Sequence, residues 1–428
     1  MGKKQEQSHM AKALRWKARH TVLSVLSVTA ILSFMDRMVI SAVIPFIAKD
    51  FALTPFQSGI VMSIFFAGYA IAQVPGGLLA DRFGVRHVTA IALLWWSIFA
   101  ALTGAATNLL SMLVARFLFG LGEGVYPASA FKTVAVWFPP KERATANAVK
   151  LASTPLGGAL APLLVVAVLS FGTWRTVFYV LFLPGAILAL LFWIFVRDDP
   201  SKSPRVTPEE LAEIDGKRGV SVAKVAPAAG LAAALKEPVI LRYFLVLFAF
   251  NIGYWGFASW LPTYLMTVRG FSAAQMGVAA SLPFFGATAG CLVGGWMSDR
   301  FFSKNRRLPI IAAQIAAAAL LYLTYVSSST IMLLVCQTLA GFFLSFFTST
   351  FWALPITTMP RSLMGVITGF INMAGQIAAF LSPMIVGYLV GAADGTFGTT
   401  FALLIGSILV SCALVFTLPR HSVAASTE

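Results

Sequence analysis

Four ionisable residues stand in stretches that are otherwise apolar. Asp36 and Arg37 lie in ILSFMDRMVISAV; Arg116 and Glu123 lie in ARFLFGLGEGVYPASAFKTV, which also carries Lys132. A charge at mid-bilayer costs at least about 2.5–3.5 kcal/mol on insertion scales, so such a residue faces a cavity or a partner. A carboxyl whose surroundings alternate can load and release a proton, because burial disfavours its ionised form and a nearby arginine favours it. Arginine stays charged, and its planar fork suits a carboxylate better than a lysine ammonium does. Proton uptake together with anion binding is therefore one chemistry these residues could do. The plainer alternative is a pair of ion pairs, Asp36–Arg37 and Arg116–Glu123, that only cross-link helices.

The elements that carry them predict one depth for both carboxylates. A first helix climbing from near Thr21 puts Asp36 about 22 Å from its starting face at 1.5 Å per residue. A fourth helix descending towards Pro139 puts Glu123 about 24 Å from that same face. Arg116 and Glu123, seven residues apart, share one helix face about two turns from each other.

The remaining sequence says what holds those helices. Hydrophobic residues make up 58% of the 428, charged residues 11%, and the mean hydropathy is +0.84. Soluble domains carry about a quarter charged residues, and about 20 apolar residues span a bilayer core. Twelve apolar runs are expected, starting near residues 20, 56, 87, 110, 143, 174, 239, 274, 307, 330, 363 and 398. The first is too long for a signal-peptide core and is retained as a span. The net charge of +15 does not point to nucleic acid, because its basic residues fall in alternate loops. They precede the first run (Lys12, Arg15, Lys17, Arg19) and follow the second (Arg82, Arg86), the fourth (Lys141, Arg143), the sixth (Arg197, Lys202), the eighth (Lys304, Arg306), the tenth (Arg361) and the twelfth (Arg420). Basic loops stay cytoplasmic, so both termini are expected inside. Cys291, Cys336 and Cys412 lack ligand spacing and read as packing residues. His9, His20, His87 and His421 lie near tails or loop ends, and no metal or nucleophile constellation marks an enzyme.

The chain also repeats itself. Gly77, Asp81 and Arg82 in GGLLADRFGVRH recur 218 positions later as Gly295, Asp299 and Arg300 in GGWMSDRFFSKNRR, and Thr54, Gln57 and Gly59 recur as Ser272, Gln275 and Gly277. Two similar halves in a membrane protein place a path and a site at their interface. The expected organisation is a basic tail (1–19), a six-helix bundle (20–196), a polar linker (197–237), a second six-helix bundle (238–418) and a short tail (419–428). Asp81, Arg82, Asp299 and Arg300 read as gating groups at helix ends, with a purely structural loop as the alternative. Gly120, Gly122, Gly124, Gly157 and Gly158 read as close-packing positions. Lys150 either helps hold an anion or snorkels to the surface.

These residues together resemble the major facilitator superfamily, whose signature loop GGLLADRFGVR (76–86) matches. Within it the chain is similar to the anion:cation symporter family of sugar-acid permeases, sialin and vesicular glutamate carriers, through Asp36-Arg37, RFLFGLGEG, AVWFPPKERATANAV and WLPTYLMTVRGFS. The resemblance implies twelve helices in two pseudo-symmetric bundles, alternating access, and import of an organic anion with protons in a bacterial inner membrane. It implies no cofactor beyond the proton gradient, and a monomer is expected. By motif position, Asp36 and Glu123 would titrate, Arg116 would tune Glu123, and Arg37 would face the substrate carboxylate. Tyr69, Ser349, Trp352 and Asn372 would line the substrate site, although each has a packing or helix-linking alternative. Phe34 and Thr154 depart from the Tyr and Gln usual in those permeases. With fewer hydrogen bonds for a polyol, a less hydroxylated or aromatic carboxylate becomes a candidate. An efflux antiporter on the same fold and a transporter-like sensor are the alternatives.

Overall fold

The computed structural model describes residues 16–215, 237–302, 305–358 and 364–418, with the side chains of residues 215, 299, 356–358 and 364–366 excluded; Lys12, Arg15, Lys304, Arg361 and Arg420 lie outside these residues. Among the described residues there is no strand. The helices are α1 (Ala18–Asp50), α2 (Pro55–Phe83), α3 (Val85–Gly104), α4 (Leu109–Gly124), α5 (Tyr126–Trp137), α6 (Pro140–Leu169), α7 (Trp174–Phe195), α8 (Pro208–Asp215), α9 (Pro238–Thr267), α10 (Ala273–Arg300), α11 (Arg307–Val326), α12 (Thr330–Thr358), α13 (Met364–Ala392) and α14 (Gly398–Val415). With α4 and α5 counted as one broken span, 12 helices among the described residues are long and apolar enough to cross a membrane. Their starts fall within about three residues of those expected.

The repeat is written into helix starts. Thr54 accepts from the backbone N–H of Gln57 at the head of α2, and Ser272 accepts from that of Gln275 at the head of α10. Both glutamines return a side-chain bond to the cap residue, so each half contains the same reciprocal capping box. Inside a half, glycines bring backbones together. A Cβ at Gly120 would meet the carbonyl of Phe65, one at Gly124 that of Tyr69, and one at Gly157 that of Ile31. These contacts seat α4 on α2 and α6 on α1, the arrangement small residues permit in lipid.

Between the halves, α2 meets α13 and α6 meets α10. Gly59 abuts Pro383 and Met384, Gly387 abuts Pro55, Gly277 abuts Pro162 and Val166, and Gly158 abuts the Phe284 ring. All lie at mid-depth or on the side opposite the termini. Phe34 adds ring contacts with Trp255 (6.3 Å) and Phe284 (6.2 Å), and Phe66 with Trp255 (4.7 Å). Towards the termini, no hydrogen bond, ion pair or ring contact joins the two halves among the described residues, and a Cβ at Gly295 or Gly369 would meet nothing within 4 Å. Among the described residues, aromatics thus roof the space between the halves on the side away from the termini.

The short linker helix α8 closes onto the first half. Glu210, 2% exposed, accepts the backbone N–H groups of Ala18 (3.1 Å) and Arg19 (3.0 Å), so it caps α1 from 190 residues away. Glu213 pairs with Lys17 (2.7 Å) and Arg19 (2.8 Å), and Arg19 also pairs with Glu142 (3.2 Å) at the start of α6. The Lys17 hydrogen bond, aided by Arg19, holds the Glu213 carboxyl below the usual glutamate range.

Candidate functional site: a buried charge cluster under an aromatic roof

The local fold explains why Glu123 is where it is. Pro127 has no N–H to give the Glu123 carbonyl, so the fourth span breaks at Val125 into α4 and α5. Glu123 ends the upper piece, fully buried, pointing at α1. There its Oε1 accepts two hydrogen bonds, from Ser33 Oγ at 2.6 Å and from Arg37 Nη2 at 2.5 Å. Ser33 and Arg37 are four residues apart on α1 and so share a face. The equal depths expected for Asp36 and Glu123 hold.

The pairing, however, crosses between helices differently from either same-helix alternative. Arg37 pairs with Glu123, not with Asp36, and Glu123 has no ion pair with Arg116 among the described residues. Arg37 is wrapped by four rings, with its guanidinium carbon 4.7 Å from Tyr69, 5.0 Å from Phe65, 5.7 Å from Phe34 and 5.8 Å from Phe66. Cation–π attraction thus supports the charge where water is scarce. Arg116, 1% exposed, lies against Phe119 (4.8 Å) and Phe65 (5.3 Å), with Nε and Nη2 lacking hydrogen-bond partners. Asp36 is 3% exposed, and its Oδ1 is also unpartnered, close to an equally unpartnered Trp96 indole nitrogen. Two carboxylates and two arginines share one buried cluster, with a single ion pair between them among the described residues. Arg116 makes no ion pair with Asp36 or Glu123 among the described residues.

The proposed substrate residues divide. Tyr69 and Phe34 belong to this cluster. Thr154 on α6, Ser349 and Trp352 on α12 and Asn372 on α13 are partly buried and, among the described residues, have no hydrogen bond or ring contact with it. Ser349 donates to the Phe346 carbonyl (3.1 Å), and Trp352 meets Phe351 (5.7 Å). Of the gating group, Asp81 pairs with Lys132 of α5 (2.7 Å), whose ammonium also donates to the Ala80 carbonyl (2.9 Å). That accounts for Lys132 as a charge of the signature loop. Arg82 is exposed over the Phe83 ring (5.2 Å), Arg300 is exposed, and the Asp299 side chain lies outside the described residues. Ser33, Trp96, Trp255 and Phe284 were not singled out by sequence. Ser33 alone left a signal, a hydroxyl on the helix face of Arg37. An apolar cavity of about 630 Å³, lined by Leu79, Ile91, Trp95 and Val125 among others, opens between α2, α3 and α4, and none of the four site charges lines it.

Known proteins share this architecture over nearly the whole chain. The chain is 32% identical over 402 residues to a probable sulfoacetate transporter of Cupriavidus necator, covering 91% of this chain and 92% of that one. It is 29% identical to the hexuronate transporter of Bacillus subtilis (96% and 98% covered) and 30% identical to a probable galactarate/D-glucarate transporter of Escherichia coli (87% and 88% covered). In fold it matches the inward-facing crystal structure of a bacterial homologue of the lysosomal transporter Spinster, with a TM-score of 0.74 at 20% identity over 94% of this chain and 95% of that one. A D-xylose-proton symporter gives a TM-score of 0.74 at 15% identity over 94% and 98%. The sequence model of the Major Facilitator Superfamily matches residues 26–383, so the chain is a membrane transporter belonging to that superfamily.

Proposed function

We propose that this transporter imports an organic acid anion together with protons, by alternating access across a bacterial inner membrane with both termini cytoplasmic. One observation carries the reading: Glu123 and Arg37 neutralise each other inside a buried pocket that holds a second carboxylate, Asp36. Protonation of Glu123 removes the partner of Arg37 and leaves a buried guanidinium that an anion can neutralise. Loss of the proton restores the ion pair and expels the anion. Ser33, donating to the same oxygen, holds the carboxylate towards Arg37 in the released state. Asp36, with an unpartnered oxygen, would be the second proton site, and Arg116 would set the balance between the two carboxyls.

The relatives' names supply the substrate class: sulfoacetate, hexuronate and aldarate are all organic acid anions. Phe34 in the roof and Thr154 on the wall favour a compact or sparsely hydroxylated acid. An arginine poised to neutralise an anion fits an organic-anion carrier better than an exporter of lipophilic cations. The test is uptake of labelled sulfoacetate, glucuronate and glucarate into proteoliposomes. An inward proton gradient should accelerate accumulation of at least one; uptake indifferent to the gradient would remove the proton coupling, and no uptake of any would remove the substrate class.

A further inference from the structure

Lys150 is a buried cation without an anion. It is 4% exposed, makes no ion pair or hydrogen bond among the described residues, and has its Nζ 3.6 Å from the centre of the Phe131 ring. One turn earlier on α6, Asn147 buries an Oδ1 that also lacks a partner.

The helix itself shows which way these side chains point. Gly157 packs on α1 at Ile31 and Met35, and Gly158 packs on Phe284 across the cleft. At 100° per residue these two directions bound the sector where α6 borders the cleft. Measured from Gly157, Lys150 falls at about 20°, Arg143 at about 40°, Thr154 at about 60° and Asn147 at about 80°, all inside the sector that Gly158 closes at about 100°. These four polar residues of α6 thus share one stripe beside the cleft, whereas Lys141, Glu142, Thr145 and Ser153 fall on other faces of the helix. Beyond Gly158 the same helix buries only Ala159, Ala161, Pro162, Val165 and Val168. The stripe is confined to the termini side of the helix. Since α1 and α6 rise together, Lys150 lies about 10 Å nearer the termini than the Arg37–Glu123 level, seven residues at 1.5 Å each. By this rise the two cations sit at different levels of α1 and α6.

We propose that Lys150 and Asn147 form a second station for the transported anion, between the Arg37–Glu123 pair and the opening, with the Phe131 ring as its movable cover. The proposal rests on reading the protein as an organic-anion transporter. An ammonium facing only a ring gains a stronger, charge-assisted bond when a carboxylate or sulfonate arrives, while the Asn147 amide offers donors to the anion and an acceptor to a neighbouring hydroxyl. Phe131 is 48% exposed on α5. An anion expelled as Arg37 re-pairs with Glu123 then has a cationic stop before bulk water.

The test is sided transport of sulfoacetate and glucuronate in proteoliposomes of defined orientation. Lys150→Met should raise KM at least fivefold for anion presented from the termini side and leave KM from the opposite side within twofold; Lys150→Arg should restore most of the difference. Phe131→Ala, which uncovers Lys150, should lower the termini-side KM and provides the reading if Lys150→Met does not fold. Unchanged values, or equal shifts on both sides, overturn the station and leave the transport reading intact. A wild-type protein that carries neither acid overturns both.

Discussion

Glu123 Oε1 and Arg37 Nη2 lie 2.5 Å apart across two helices, and the same oxygen accepts the Ser33 hydroxyl at 2.6 Å. The arginine that would bind the anion and the carboxyl that would bind the proton are thus each other's partner. On the proposed function, competition between them would tie the two cargoes together without any contact between proton and substrate. Glu123→Gln keeps a hydrogen-bond acceptor for Ser33 but cannot restore the ion pair. Gradient-driven accumulation should fall to background, whereas substrate exchange, which needs no net proton release, should persist at a measurable fraction of the wild-type rate. Accumulation that survives would make Glu123 structural.

Arg37→Lys tests the other side of the pair. A lysine ammonium cannot lie flat among Tyr69, Phe65, Phe34 and Phe66 or offer two parallel donors. The apparent KM should rise at least tenfold, about 1.4 kcal/mol of lost binding, with the folded yield retained. An unchanged KM would take Arg37 out of the anion site.

Much of this was legible before the structure. The hydropathy breaks located the spans because lipid punishes polar residues in a span and tolerates them in loops. The depth match of Asp36 and Glu123 followed from helix rise alone. The choice of partner did not follow. Asp36 and Arg37 are adjacent in sequence and therefore point about 100° apart on a helix, so adjacency argued for a contact that geometry forbids. Arg116 and Glu123 do share a face, yet Arg116 settles between Phe65 and Phe119. The break at Val125 turns Glu123 towards α1, and only Pro127 hinted at it. The aromatic roof was invisible because Phe34, Trp255 and Phe284 come from three helices in two halves.

Neighbouring glycines on α6 should separate packing within a half from packing between halves. A Cβ at Gly157 meets the α1 backbone, which cannot yield, whereas one at Gly158 meets the Phe284 ring of the other half. Gly157→Ala should lower the melting temperature by several degrees, the response to an overpacking penalty of about 1–3 kcal/mol. Gly158→Ala should leave the melting temperature within about two degrees and weaken the roof instead. Cysteine labelling from the side opposite the termini, at Ala280 in α10 replaced by Cys, should then accelerate. If both substitutions only destabilise, the α6–α10 contact is a fixed seam.

The charge pair between Asp81 and Lys132 is exposed, with side-chain accessibilities of 70% and 35%. A pair of that kind contributes about 0–1 kcal/mol, so neither partner matters much to folding. Asp81→Asn should therefore leave thermal stability nearly unchanged while altering the transport rate, if the pair holds one conformation. The exchange Asp81→Lys with Lys132→Asp should recover at least half of the lost rate. A rate unaffected by Asp81→Asn would return the loop to a structural role.

The clasp of α8 on α1 should set stability at the acid end. Glu210 caps two N–H groups of α1 from a buried position, so Glu210→Ala should cost about 0.5–2 kcal/mol, as loss of a cap does, and lower the melting temperature at neutral pH. Glu213 adds a pH dependence whose sign follows from its depressed pKa. A carboxyl held below its unfolded value stabilises the fold above that value, near 4.3 for glutamate, and the contribution disappears as the pH falls through the lower folded value. Glu213→Gln should therefore be slightly less stable than wild type at pH 7, and the two melting curves should converge as the pH drops below 4.3. Exposure to solvent keeps the gap small. A gap that persists or widens in acid would show that Glu213 acts through packing, with its charge irrelevant to the clasp.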